Sequence, residues 1–404
     1  MKSRHSLILV ITILVFTLVL SACAPAPSAE ALRQTAVAET LTAMPPDATS
    51  EPSQISTAVP PTPTEKSTPV PIPTVGPSGP SDFPKDVNPL TGLIVEDPEL
   101  LNRRPVLVKV ANFPASGRPH AGLSFADIVF EYYIGEGINR FIGLYYGQDA
   151  PQIGPVRSGR LVDPQLTLMY EGILGFKGAD SRVYSEITSL LGNRAITGTE
   201  NTCPAICDNG DNTVTSIFAD SDALSQLAGA RGVDNSRPIL DGMRFDPAAP
   251  ANGVEANHVN VIFNILDRGE WVYDPDSGKY LRWIEEADVA QNVTMIPLVD
   301  RLTDEQLAFS NVIILFAYYT EYAPTLHDIG IWDNRTSQRA VIFRDGQAYD
   351  VYWRTVDTDA PIQFLDQNGE IFPLKPGNTW MVLMSMISSA VQTEDVWDFN
   401  FYLQ

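Results

Sequence analysis

The sequence predicts an α+β protein: two mixed α/β domains that follow a signal peptide and a disordered linker. An apolar N-terminal run is followed by a stretch rich in Pro, Ser and Thr, which cannot bury a core. Strand and helix patterns then alternate, before a last part that is largely antiparallel sheet by its period of two. We expect a signal peptide at 1–22, a tether at 23–81, a first domain at 82–240 and a second at 255–404.

The N-terminus reads MKSRHSLILVITILVFTLVLSAC. Lys2 and Arg4 precede an apolar run that is short for a membrane span and typical of a signal peptide. A small residue directly before Cys23 is typical of a bacterial lipoprotein signal. Cleavage would then leave Cys23 as the first residue, with its sulfur lipidated by chains such as palmitate. The alternative is an ordinary secretory signal with an incidental cysteine. Because several acyl chains anchor a protein stably, we expect a membrane-anchored protein on the extracytoplasmic face.

The tether is dominated by Pro, Ser, Thr and Ala and contains few large apolar residues. Such a segment is expected to be a coil or partly polyproline II. A polyproline tether reaches about 3 Å per residue, so the folded part would stand away from the membrane, near the cell wall.

The formal net charge of -22 limits the partners that the protein can have. Nucleic acids and anionic lipid surfaces both require a basic face, so neither is expected as the main partner. The four histidines share no metal-binding spacing, and no phosphate-binding glycine loop is present. We therefore predict no metal and no cofactor.

Cys203 and Cys207 lie in a polar segment that is rich in turn residues. Outside the cytoplasm a disulfide between them is the favoured interpretation. A pair of free thiols is the alternative, and a metal site is disfavoured because no further ligands lie nearby in the sequence.

The elements of the first domain follow from alternation and capping residues. Strands are expected at residues 104–112, twice within 126–148 around a Gly-Glu-Gly turn, and at 172–178. Asp163 and Pro164 fit the N-cap and first position of a helix. Two further helices are expected at 181–192 and 220–232.

The second domain shows strand alternation almost throughout. Hairpins are expected around Asp274–Gly278 and around Asp345-Gly346. A short helical insertion is expected at 303–310. Further strands are expected at 258–265, 311–322 and 363–384.

The segment IGPVRSGR at residues 153–160 provides the best candidate site. Arg157 and Arg160 lie just before the expected helix, and a helix N-terminus favours anions. The guanidinium group offers paired donors to a carboxylate or phosphate. Ser158 lies between the two arginines, and Arg140 and Arg118 are further candidates for the same ligand.

Two alternatives involve the carboxylates Asp127 and Glu131, which project from one side of a predicted strand. They could pair with the arginines as a purely structural network. They could also act as a general acid and base in a hydrolase of wall glycan or peptide. The sequence does not fix the distance between the two carboxyl groups, so both alternatives stay open.

Several blocks of the sequence resemble the YerB lipoprotein family. In the first domain these are RPVLVKVAN, GRPHAGLSFADIVFEYYIGEGINRF and IGPVRSGR; in the second they are WVYDPDSGKYLRW, VIFRDGQAYDVYW and LKPGNTWMVL. The resemblance implies a bacterial, lipid-anchored, two-domain protein with no assigned activity. The polar positions of the family correspond to Arg118, Asp127, Glu131, Arg140, Arg157, Ser158 and Arg160.

The leading hypothesis is thus a non-enzymatic protein of the cell envelope that binds an anionic ligand, such as a cell-wall fragment, through Arg157 and Arg160. The first alternative is the hydrolase that uses Asp127 and Glu131. The second alternative is a structural subunit of an envelope complex.

Overall fold

The computed structural model describes residues 76–199, 202–332, 334 and 336–403. The expected signal peptide, Cys23 and nearly all of the tether lie outside these residues. Within the described ranges, no helix has both the length and the apolar character needed to cross a membrane.

The N-terminal part of the described chain combines strands with three short helices. Its elements are β1 (Val106–Ala111), β2 (Ile128–Gly135), β3 (Ile138–Tyr145), α1 (Val162–Met169), β4 (Ile173–Phe176), α2 (Ser181–Leu191), β5 (Ala195–Thr197), β6 (Ile206–Asp208), β7 (Ile217–Ala219), α3 (Ser221–Ala230) and β8 (Arg244–Phe245).

In the described ranges, the regular elements of the C-terminal part are all strands. They are β9 (Val254–Glu255), β10 (His258–Asn264), β11 (Asp267–Asp274), β12 (Lys279–Ala287), β13 (Val293–Pro297), β14 (Ala308–Phe309), β15 (Asn311–Ala323), β16 (Leu326–Gly330), β17 (Gln338–Arg344), β18 (Gln347–Arg354), β19 (Gln363–Leu365), β20 (Pro373–Leu374), β21 (Thr379–Ser385), β22 (Ser389–Thr393) and β23 (Val396–Asn400).

One large sheet contains strands from both parts of the chain. Its order is β19-β18-β17-β15-β21-β2-β3-β1-β4-β5, with β16 paired to β15 and β9 paired to β18. The two parts meet where β2 and β21 run parallel, from Ile128 opposite Thr379 to Tyr132 opposite Leu383. Backbone hydrogen bonds therefore connect the two parts, and the proposed domain limits at 240 and 255 stay a prediction.

A second sheet packs against one face of the large sheet. It has the order β13-β12-β11-β10-β23-β22, with β14 paired to β12. Strand β10 alternates buried and half-buried residues, as expected when one face of a strand points into a core. Trp380 of the large sheet lies 5.8 Å from Trp271 and 5.0 Å from Phe309, measured between ring centroids. Aromatic contacts of this kind fill the space between the sheets.

Two expectations about helices are corrected by the structure. Strand residues far outnumber helical residues, so the fold is richer in β structure than the predicted α+β class. Residues 303–310 do not form the expected short helix, because Ala308 and Phe309 pair with Leu281 and Tyr280 of β12. Phe309 is fully buried there, so tertiary packing decides the conformation over local propensity.

Candidate functional site

The loop at residues 153–160 lies between β1 and the end of β4, and backbone hydrogen bonds hold it on both sides. The amide of Arg157 donates to the carbonyl of Lys109 in β1 over 3.0 Å. The amide of Lys177, just after β4, donates to the carbonyl of Arg157 over 2.9 Å. The loop is therefore held between β1 and the end of β4 and presents its arginines from a fixed backbone.

Gly159 allows this loop to approach α2 closely. A Cβ atom at this position would lie 2.5 Å from Cδ1 of Ile187, which is too close for any real side chain. The amide of Gly159 also donates to the carbonyl of Gly178 over 3.0 Å. A larger residue between Ser158 and Arg160 would thus require the terminal methyl group of Ile187 to move.

The structure brings together three of the predicted arginines, Arg140, Arg157 and Arg160, which we call the arginine cluster. The side-chain hydrogen bonds of the three go to backbone carbonyls. Arg140 donates to the carbonyl of Ser158 over 2.8 Å and Arg160 to that of Gly159 over 2.9 Å. Arg157 makes a longer bond of 3.3 Å to the carbonyl of Val214.

In the described chain no carboxylate forms an ion pair with the arginine cluster, although the charge of Asp163 acts on Arg140 and Arg160 and that of Asp180 acts on Arg160. Among the described residues, none of its three members has a carboxylate within ion-pair distance. The Nε atoms of Arg157 and Arg160 are buried without a hydrogen-bond partner in the described chain. Burial, together with the charges of Arg160 and Arg157, lowers the pKa of Arg140 to about 9. An anion from outside the chain would relieve this repulsion.

A second group of charged residues lies directly beneath the arginine cluster. Lys109 is fully buried, and its Nζ atom lies 3.2 Å from Oδ1 of Asp163. The hydroxyl of Tyr132 contacts both Nζ of Lys109 and Oδ1 of Asp163. The other oxygen of Asp163 accepts a hydrogen bond from the backbone amide of Arg160 over 2.7 Å. We call Lys109, Tyr132 and Asp163 the lysine cluster.

The position of Asp163 corrects a prediction about α1. The helix begins at Val162 with Leu161 as its N-cap, so Asp163 is not the N-cap. Its carboxylate instead accepts from the backbone of the preceding loop and from Lys109. A buried lysine needs a carboxylate close by, and this requirement fixes where the aspartate lies.

Arg118 does not join the arginine cluster. Its Nη2 atom lies 2.6 Å from Oε1 of Glu285 in β12 and also donates to the side chain of Asn112. Arg118 thus connects the two parts of the chain rather than extending the candidate site.

Glu131 is buried in a separate group, which we call the glutamate cluster. Its carboxylate lies 3.3 Å from Nη2 of Arg282 and accepts from Nε1 of Trp380 over 2.7 Å and from the side chain of Asn139. Burial raises the pKa of Glu131, while the charge of Arg282 lowers it. Glu131 is therefore satisfied by the protein itself.

Asp127 is also satisfied internally. It accepts from the amides of Tyr146 and Gly147 over 2.6 and 3.0 Å, and from the side chain of Asn88 over 2.9 Å. Burial raises its pKa to about 6. Asp127 and Glu131 thus bind separate partners. The structural alternative required that they form ion pairs with Arg157 or Arg160, and in the described chain neither of them does.

The sulfur atoms of Cys203 and Cys207 lie within bonding distance of each other. The oxidised state of this pair stays a prediction, to be checked by thiol labelling. Within the described ranges, no group of three or more metal-ligating side chains is present.

Two cavities lie away from the arginine cluster. One of about 610 Å³ is lined by residues that include Arg104, Arg194 and Trp332. Another of about 720 Å³ lies beside β17 and β18 and includes Arg339 and Tyr352. Neither cavity is lined by a residue that the sequence analysis selected.

Comparisons with known proteins identify the class. Two family models match, "Protein of unknown function (DUF3048) N-terminal domain" over residues 90–234 and its C-terminal domain over residues 259–381. "Putative lipoprotein YerB" of Bacillus subtilis (strain 168) is 27% identical over 314 residues, which cover 75% of this chain and 87% of that protein. The crystal structure of YerB from Bacillus subtilis aligns with a TM-score of 0.61 and 25% identity, covering 74% of this chain and 96% of that one.

The chain belongs to this YerB-like family of proteins of unknown function, as the sequence blocks indicated.

Sequence reasoning missed Lys109 and Tyr132 as parts of the site. The available signal was a lysine in the middle of the apolar strand VLVKVA, all of which is buried. A buried charge of this kind needs a partner, although the sequence does not say which carboxylate supplies it.

Proposed function

We propose that this protein is a lipid-anchored protein of the bacterial cell envelope that binds an anionic group through Arg140, Arg157 and Arg160, with Ser158 beside them. One observation carries the binding proposal: three guanidinium groups lie together with no carboxylate in ion-pair contact among the described residues, although the chain has a net charge of -22. In a chain with such an excess of acidic residues, the easiest way to stabilise three arginines is an internal carboxylate. Its absence from their contacts favours an external anion.

The lipid anchor rests on Cys23 and on the relative described as a lipoprotein. Labelling of cells with a palmitate analogue is expected to mark the parent chain and not a Cys23→Ser variant. Protease added to intact cells with permeable walls is expected to digest the folded part, which would place it on the extracytoplasmic face. Labelling of the Cys23→Ser variant would contradict the anchor.

The hydrolase alternative gains no support from the geometry. Asp127 and Glu131 are 6% and 0% exposed, and each is held by its own hydrogen bonds. A general acid and a general base must both reach the substrate, which buried and separately bound carboxylates cannot do without rearrangement.

The binding proposal is tested by thermal unfolding of the full chain in a non-ionic detergent. Sulfate, inorganic phosphate and anionic cell-wall fragments are compared with chloride at the same ionic strength. A ligand at 100 times its Kd stabilises the folded state by about 2.7 kcal/mol, which corresponds to a shift of several degrees.

The double variant Arg157→Ala/Arg160→Ala is expected to lose this shift. Arg339→Ala is the matched control, because Arg339 forms an exposed ion pair with Asp350 far from the loop in sequence. An equal stabilisation of the double variant and the parent by every ligand would rule out the site.

A further inference from the structure

Lys109 is an unusual residue for the centre of a sheet. It is 0% exposed, and its Nζ atom lies 3.9 Å from the centroid of the Tyr132 ring. The charged and titratable groups that face it come from each neighbouring element: Tyr132 from β2, Arg140 from β3, Asp163 from α1 and Arg160 from the loop. Two of these neighbours belong to the arginine cluster.

Hydrogen bonds connect the arginine cluster and the lysine cluster. Asp163 binds Lys109 with one carboxylate oxygen and the backbone amide of Arg160 with the other. The amide of Arg157 donates to the carbonyl of Lys109 itself. The two clusters are therefore in direct contact, and a change of charge in one acts on the other through a medium that screens little.

The protonation of Lys109 depends on a balance between these neighbours. Burial, together with the charges of Arg140 and Arg160, lowers the pKa of Lys109 to about 7, although the attraction of Asp163 acts in the opposite direction. An anion that neutralised the two arginines would remove part of the repulsion. The ammonium form of Lys109 would then persist to a higher pH.

We infer that the arginine cluster takes a doubly charged oxyanion, of the sulfate or phosphate-ester class, and that Lys109 takes up one proton from solvent as this anion binds. The inference rests on the proposed function. Three guanidinium groups without a carboxylate partner among the described residues match a dianion better than a single carboxylate, which would leave a larger excess of positive charge. The proton converts the neutral amine of Lys109 to its ammonium form, and no other bond changes.

The direction of the pH dependence follows from this exchange. At pH values well below 7, Lys109 is protonated in both the free and the bound protein, so the affinity is constant there. Between the pKa of the free protein and the higher pKa of the complex, each binding event requires a proton. The affinity then falls by up to about tenfold per pH unit as the pH rises, and levels off above the pKa of the complex.

Isothermal titration calorimetry of the full chain in a non-ionic detergent tests the inference with sulfate, which does not titrate in this range. The heat at pH 7.5 is measured in two buffers of different ionisation enthalpy. Their difference is expected to show uptake of up to one proton, and Kd is expected to rise between about pH 7 and 9. Acetate is expected to bind more weakly and with less proton uptake.

Glycerol phosphate and vesicles that contain phosphatidic acid distinguish the two sources of a phosphate group. The net charge of -22 favours a soluble or wall-attached phosphate over a lipid surface, so glycerol phosphate is expected to bind more tightly than the vesicles. Binding to the vesicles and not to glycerol phosphate would overturn the assignment to a soluble or wall-attached group.

Lys109→Met is expected to bind sulfate without proton uptake and with a flat pH profile. Lys177→Met is the matched control, because this lysine follows β4 and its side chain donates to the carbonyl of Gly198; it is expected to keep the uptake. If Lys109→Met does not fold, Lys109→Arg, which stays charged in this pH range, is measured in its place and is expected to bind sulfate without proton uptake. Sulfate binding without proton uptake overturns this inference and leaves the proposed function intact. Absence of binding by sulfate, phosphate and wall fragments alike overturns both.

Discussion

Glu131 and Tyr132 are consecutive residues of β2, so their side chains leave opposite faces of the large sheet. On the face towards the second sheet, the glutamate cluster pairs one carboxylate with Arg282, Trp380 and Asn139. On the other face, towards α1, the lysine cluster supports three arginines that lack a carboxylate partner in the described chain. The comparison teaches that burial of charge alone does not mark a binding site. The distinguishing feature is whether the protein supplies the opposite charge.

Breaking the glutamate cluster is expected to have the largest effect. Arg282→Met keeps most of the side-chain volume but leaves Glu131 buried without its cation, which costs about 3–5 kcal/mol in the free energy of unfolding. Chemical denaturation measures the loss. The pKa of Glu131, already raised by burial, is expected to rise further. The folded variant then binds a proton that the unfolded chain releases, so the variant loses stability as the pH rises above about 4.3, the pKa of an unfolded glutamate.

The double variant Glu131→Leu/Arg282→Met sharpens this result. Removal of both charges is expected to recover most of the lost stability, because replacement of a buried ion pair by apolar residues is often neutral or stabilising. A double variant that is as unstable as the sum of the single variants would mean that the packing of these side chains, rather than their charge, is what matters.

A smaller effect is expected for Trp380→Phe. This change removes the 2.7 Å hydrogen bond from Nε1 to Glu131 and part of the aromatic contact with Trp271. The loss of a hydrogen bond to a buried charged group costs about 1.5–3 kcal/mol. The matched control is Trp332→Phe, because Nε1 of Trp332 donates to the backbone carbonyl of Thr358 and not to a carboxylate. Urea denaturation compares the two variants. Equal losses in the two variants would contradict a special role of Glu131.

The smallest effect on stability is expected in the arginine cluster. Arg157→Ala is expected to change the free energy of unfolding by less than about 1 kcal/mol in chloride buffer, because the residue is half-buried and its removal relieves like-charge repulsion. The same variant is expected to weaken sulfate binding at least tenfold, as the loss of a charge-assisted hydrogen bond implies. Destabilisation as large as that of Arg282→Met would show that Arg157 supports the fold.

Local features of the fold were predictable from the sequence. Alternation located β1, β2, β3 and β10, and the Asp345-Gly346 turn between β17 and β18 is confirmed, with φ of 55° and 72° at its two residues. These features depend on residues that are close in sequence, where side-chain period and turn chemistry decide the structure.

Long-range pairings were not predictable in the same way. Lys109 and Asp163 are separated by 54 positions, and Glu131 and Trp380 by 249. The sequence contained both members of each pair, yet pattern alone could not match one buried charge with its partner. For this reason the sequence pointed to the arginines as a candidate site but offered Glu131 as an ion-pair partner for them. In the structure the cation beside Glu131 is Arg282.

Strand β21 lies between β15 and β2 in the large sheet, although it is far from β2 in the sequence. A polypeptide that stops before Thr379 leaves the backbone groups of two long strands exposed, and such edges promote aggregation. The early strands β1 to β3 must therefore wait for Thr379–Ser385 to be synthesised before β2 has both of its neighbours. For the same reason, the N-terminal half is a poor module to transplant into another protein by itself.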